Sequence, residues 1–134
     1  MQPPDRMART NIVVADDDAD TRELVKAALA GFEVFEACNG IELLEVLADA
    51  GRCDLIVTDV DMGWLDGIQA AATARTAGLR TPIVVITGIT GAGIAERVAR
   101  IPGAVLLRKP FSVTELIALV AHLTGGACPT TARS

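Results

Sequence analysis

Four short segments of this 134-residue chain carry side chains that could together handle a phosphoryl group and a divalent cation: Asp16-Asp17, Asp59 with Asp61, Thr87-Gly88 and Lys109. Three carboxylates crowded together repel, which raises at least one pKa unless a cation neutralises them. Mg²⁺ suits such a site, being a hard octahedral ion content with one or two carboxylates, a carbonyl, waters and a phosphoryl oxygen. Lys109 adds a mobile positive charge and Thr87 a hydroxyl donor, both fitted to phosphoryl oxygens whose charge must be stabilised during transfer. Asp59 is then the candidate nucleophile. Gly88 leaves room for the incoming group and offers a backbone N–H. An isolated Asp of this kind is more often a solvated loop residue, because short patterns match by chance. What changes the balance is where the chain puts the other segments.

Each segment falls at the carboxyl end of a predicted strand. Leu55-Ile56-Val57 is a short apolar run rich in β-branched residues, as a strand covered on both faces should be, and polarity returns at Asp59. Asn11 to Ala15 is apolar and ends in Asp16-Asp17-Asp18. Ile83 to Ile86, introduced by Pro82, terminates at Thr87-Gly88, and Val105 to Leu107 runs into Arg108-Lys109-Pro110. Phe32 to Ala37 is shorter of apolar residues and suits an edge position. In an open α/β sheet, ligands bind outside the carboxyl ends of the strands.

Helix signals alternate with these strands. Asp20-Thr21-Arg22-Glu23 has capping-box spacing, and Leu24, Val25, Ala28 and Leu29 supply an apolar face until Gly31. Asn39-Gly40-Ile41-Glu42 opens a second helix with Leu43, Leu44 and Leu47 inward, and Asp66 caps an alanine-rich third that runs to about Gly78. Ala92 to Ile101 forms a fourth, weakened near its start by Gly91 and Gly93 and broken by Pro102-Gly103. Ser112-Val113-Thr114-Glu115 is a second capping box, and Leu116, Ile117, Leu119, Val120 and Leu123 line the last helix. Five strands alternating with five helices predict an α/β fold, a parallel sheet covered on both sides by right-handed crossovers.

Composition narrows the class further. The length suits one domain, residues 11–124, between a loose arm over 1–10 and a flexible tail or linker stub over 125–134. A hydrophobic share of 51% and a mean hydropathy of +0.41 argue against disorder, and no apolar run reaches a membrane span. The net charge of −5 disfavours nucleic acid as a direct partner. Cys38, Cys53 and Cys128 are odd in number and lack metal spacing, which fits a reducing cytoplasm. Met1 to Thr10 has no apolar segment and is unlike a secretory signal.

Ala15-Asp16-Asp17, Asp59-Val60-Asp61-Met62-Gly63-Trp64-Leu65-Asp66-Gly67, Thr87-Gly88 and Lys109-Pro110-Phe111 occur in this order. Together they resemble the receiver domain of two-component response regulators, over Asn11 to Leu123. The resemblance implies a flavodoxin-like (βα)5 doubly wound fold, a parallel five-stranded sheet in the order 2-1-3-4-5. It implies that Asp59 accepts a phosphoryl group from a phosphohistidine on a sensor histidine kinase or histidine phosphotransfer protein. Asp17 and Asp59 would bind Mg²⁺ directly, Asp16 largely through a water, and Asp61 through its backbone carbonyl. Lys109 and Thr87 would hold the phosphoryl oxygens, and the Lys109-Pro110 bond would be cis. The modified domain would then act on a downstream protein or attached domain, as a stand-alone regulator or as part of a longer protein; a homodimer is compatible with it.

Three departures from the family pattern matter. Gly63 replaces a usual proline, loosening the loop after the nucleophile. Leu106 stands at the switch position, where a Tyr or Phe ring usually reports phosphorylation. The glycine-rich stretch from Thr87 to Glu96, with Ile89 in it, offers a backbone rearrangement in place of ring rotation.

Two rivals are weighed against this. Asp59-Val60-Asp61 also fits the nucleophile motif of haloacid-dehalogenase-type phosphatases, but those begin with the nucleophile strand and place their acidic pair late. A receiver-like module that never takes phosphate would gain nothing from clustering charges that repel. Thr87 to Gly93 fits neither a dinucleotide turn nor a P-loop, and follows the fourth strand rather than the first. His122, the single histidine, complements the dipole of the last helix more readily than it serves phosphotransfer, and Trp64 is expected over the rim of the site.

Overall fold

The structure, a computed structural model, describes residues 10–50, 53–62, 65–88 and 92–125. Strand β1 (Asn11–Ala15) leads to helix α1 (Ala19–Ala28), β2 (Glu33–Ala37), α2 (Gly40–Ala50) and β3 (Leu55–Asp59). Then come α3 (Gly67–Thr76), β4 (Ile83–Thr87), α4 (Ala92–Ala99), β5 (Ala104–Arg108) and α5 (Val113–Leu123). All strand pairs are parallel and the order is β2-β1-β3-β4-β5. The chain is therefore a doubly wound α/β sheet with β1 beside β3, which brings their carboxyl ends together.

Burial explains the order. β3 and β4 are buried at every position, as their continuous apolar runs demand, and they lie at the centre. β2, with Glu36 and a partly open Phe35, takes the edge. Alternate residues of each strand feed two cores. Val13, Ile56, Ile83 and Val85 meet Leu43 of α2, Ile68 and Ala71 of α3, and Ile94 and Val98 of α4. Ile12, Val14, Leu55, Val57, Val84 and Ile86 meet Val25 and Leu29 beside α1, and Leu116 and Val120 of α5. Burying a side chain of this size is worth roughly 1.5–3 kcal/mol.

Local signals account for most helix ends. Asn39 Oδ1 accepts from Glu42 N–H at 2.7 Å, opening α2 as its sequence predicts. Asp66 and Gln69 form a reciprocal capping box on α3, and Ser112 and Glu115 another on α5. For α1 the structure corrects the sequence expectation: the cap is Asp18, whose side chain accepts from Asp20 N–H, and Asp20 lies inside the first turn. Leu24 is also outside the predicted apolar face. It is 54% exposed, because the buried stripe runs through Val25, Ala28 and Leu29, and position 24 is turned a residue away from it.

Other boundaries shift slightly. α4 ends at Ala99, where Arg100 and Ile101 N–H turn to the Arg97 and Val98 carbonyls in a tighter coil before Gly103 at φ +78°. Thr10, assigned by sequence to the loose arm, is buried, and its carbonyl accepts from Glu33 N–H at 2.9 Å. The rest of that arm, Gly63, Trp64, Ile89, Gly91, Cys128 and the tail beyond Gly125 lie outside the described residues. Among the described residues, no helix is long and apolar enough to cross a membrane.

Candidate metal and phosphoryl site

β1 stops where its neighbours allow. Asp16 N–H donates to the Ala37 carbonyl at 3.0 Å, and the Asp16 carbonyl accepts from Arg22 Nη1 at 2.6 Å. Arg22 in turn donates to Glu36 at 3.1 Å, so α1, β2 and the acidic turn are tied by one guanidinium. Asp16 is buried and its Oδ1 accepts from Asp18 N–H at 2.9 Å; Asp17 is exposed beside it.

Asp59 closes β3 at 6% exposure. The chain then makes a tight return. Val60 N–H donates to the Ile86 carbonyl and Gly67 N–H to the Val60 carbonyl, both at 3.0 Å, so the start of α3 is pinned beneath the nucleophile candidate. Gly40 at the head of α2 is pressed against the Leu65 carbonyl in the same way, leaving no space for a β-carbon.

Carboxylate oxygens of Asp16, Asp17 and Asp59 lie within 4.8 Å of one another. Lys109 Nζ stands 3.3 Å from Asp59 Oδ1. Burial pushes the Asp59 carboxyl above the usual carboxylate range, and the charge of Asp17 adds to this; the ammonium of Lys109 and the Asp61 N–H pull the other way. Asp16 is likewise raised, by burial first, against the hydrogen bond from Asp18, with Asp59 adding repulsion. Such a donor set, all hard oxygens with two of three carboxylates buried, is suited to a small divalent cation and leaves its acids under-neutralised without one. The Asp61 carboxylate is not one of the three clustered groups.

Thr87, at 1% exposure, ends β4 next to this cluster, since Asp59 pairs with Ile86 in the register. Its carbonyl accepts from Lys109 N–H at 2.8 Å, which couples the ends of β4 and β5. Gly88 follows, exposed, and a β-carbon there would meet the Lys109 stem at 3.8 Å. The Lys109-Pro110 peptide bond is cis. The structure therefore gathers Asp16, Asp17, Asp59, Thr87, Gly88 and Lys109 at one rim. Leu106 lies elsewhere, packed in the core layer beneath α4, and His122 sits exposed in the last turn of α5, at the other end of the molecule's strands.

Sequence reasoning missed three contributions: Arg22 on the Asp16 carbonyl, the close approach of Gly67 to Asp59, and an ion pair from Arg97 to Asp66. Each depends on a contact between segments. Only Gly67 had a clue, as the glycine after a cap residue.

Residues 12–121 match the family model of the response regulator receiver domain. The response regulator MprA of Mycobacterium sp. (strain KMS) is 35% identical over 122 residues, covering 88% of this chain and 52% of that protein. MprA of Mycobacterium ulcerans is 38% identical over 111 residues, covering 80% and 47%. The chain thus spans about half the length of these curated relatives. Among solved structures, a response regulator receiver protein from Sinorhizobium medicae is similar with a TM-score of 0.79 and 31% identity, over 90% of this chain and 98% of that one.

Proposed function

This chain belongs to the response regulator receiver domain family, and from that membership we propose that Asp59 is its phosphoryl acceptor, supplied by a phosphohistidine on a sensor histidine kinase or phosphotransfer protein. A receiver domain is a phospho-accepting switch in a phosphorelay rather than a turnover enzyme. The observation that carries the assignment is the Asp59–Lys109 contact of 3.3 Å inside the cluster of Asp16, Asp17 and Asp59.

In this reading Asp17 and Asp59 would hold Mg²⁺, with Asp16 beside them and the Asp61 carbonyl as a further oxygen donor. Mg²⁺ held there would supply positive charge against the acids and the oxygens of an arriving phosphoryl group. An Asp59 carboxylate oxygen forms the new O–P bond as the P–N bond to the donor imidazole breaks. The imidazole leaves with that electron pair and takes a proton from solvent. Lys109 then exchanges its Asp59 oxygen for a phosphoryl oxygen, and the Thr87 hydroxyl and Gly88 N–H supply further donors. The modified state favours one of two conformations, which regulates a partner protein or an attached domain.

Incubation with acetyl phosphate and Mg²⁺ tests this. One phosphoryl group should add to the wild type, none to Asp59→Asn, and none when EDTA replaces Mg²⁺. Sustained release of phosphate from a small ester, with no modified protein, would instead favour a phosphatase.

A further inference from the structure

Among the described residues, helix α4 has few holds on the rest of the molecule. It is eight residues long, and only Ile94 and Val98 among its described side chains are buried. Its third attachment is polar: Arg97 Nη2 donates to both carboxylate oxygens of Asp66, at 3.2 and 2.9 Å. Both side chains are partly shielded, at 37% and 23% exposure.

Asp66 cannot follow if α4 moves. Its Oδ1 accepts from Gln69 N–H at 2.8 Å and its own N–H donates to Gln69 Oε1 at 3.1 Å, while the next residue, Gly67, is wedged against the Asp59 carbonyl. α4, by contrast, is joined to Thr87 by only four residues, 88–91. Drawing the Thr87 hydroxyl toward a phosphoryl group on Asp59 would pull on that connection. Underneath, Leu106 supplies a flexible aliphatic chain to the same core layer as Ile94 and Val98, so no ring has to swing for the helix to shift.

We infer that the Arg97–Asp66 pair is an autoinhibitory latch, which holds α4 in its phosphoryl-free position and opens when Asp59 is modified. The inference rests on Asp59 being the acceptor. A ligand shifts a two-state equilibrium only by its differential affinity, so removing a contact made in one state alone must tighten binding to the other.

Beryllofluoride with Mg²⁺, titrated calorimetrically, reads this directly. Asp66→Asn retains an acceptor for the Gln69 N–H while losing the charge, and Arg97→Gln removes the other partner. Each should bind beryllofluoride roughly two- to five-fold more tightly than the wild type, the worth of a partly exposed ion pair. The double variant should bind no more tightly than either single one. Thermal unfolding of each variant verifies that it is folded. Unchanged or weakened binding by either variant overturns the latch alone. Failure of the wild type to bind counts against Asp59 as acceptor and removes the latch with it.

Discussion

Gly67 abuts the Asp59 carbonyl oxygen so closely that a β-carbon at position 67 would overlap it, and would stand 2.7 Å from Thr58 Oγ1. Neither neighbour can yield. One is backbone, and Thr58 is fully buried with its hydroxyl donating to that same carbonyl at 3.1 Å. Gly67→Ala should therefore destabilise the fold by about 2 kcal/mol in urea denaturation and slow phosphorylation by displacing Asp59. A variant as stable as the wild type would show that the return after β3 is looser than the contact implies.

Lys109 places its ammonium 3.3 Å from an Asp59 carboxylate oxygen. Lys109→Gln keeps the length of the stem but removes the charge that would follow the phosphoryl oxygens. Phosphorylation from acetyl phosphate should slow by about 100-fold, the usual cost of losing one preorganised electrostatic contact. A time course of modified protein by intact mass measures it; a rate within a factor of about two of wild type would remove Lys109 from the chemistry.

The raised carboxyls of Asp59 and Asp16 make stability depend on pH in a definite direction. Their folded forms hold a proton more tightly than the unfolded chain does. The resulting stability is complete below the unfolded carboxylate range and is lost as pH rises through the raised folded values. In EDTA, Asp59→Asn should gain on the wild type in Tm as pH climbs from the ordinary carboxylate range toward neutrality. Adding Mg²⁺ should raise the wild-type Tm by mass action and close that gap. A constant Tm difference across pH would mean that Asp59 carries no excess charge strain.

Burial pushes the Cys53 thiol up to about 11, and its Sγ donates to the Leu55 carbonyl at 3.3 Å. Glu42 also raises Cys38, but Cys38 is open to solvent. At pH 8 the Cys53 thiolate is on the order of 100-fold scarcer than that of an ordinary thiol. Iodoacetamide should label Cys38 well before Cys53, as peptide mass mapping will show. Equal rates would place Cys53 outside the core layer.

The fold and the rim of the site were legible because both follow from local patterns. Apolar runs such as Leu55 to Val57 and Ile83 to Ile86 have no polar face, so they must be central strands, and the polar residues that end them then share one edge. What was hidden depends on geometry between segments. Asp18 and Asp20 are both good caps two residues apart; the choice of Asp18 is made where Asp16 takes its N–H. Leu24 looked like core because it adjoins Val25, yet one step is 100° of helix. Arg97 and Asp66 are 31 residues apart, a separation that no periodicity encodes.

Reductive trapping identifies which carboxylate takes the phosphoryl group. The wild type is incubated with acetyl phosphate and Mg²⁺, reduced with borohydride, digested and mapped by mass spectrometry. An acyl phosphate on Asp59 becomes homoserine, so homoserine is expected at position 59 and nowhere else, dependent on Mg²⁺. Homoserine at Asp16, Asp17 or Asp61 with Asp59 intact, or no conversion at all, would contradict it.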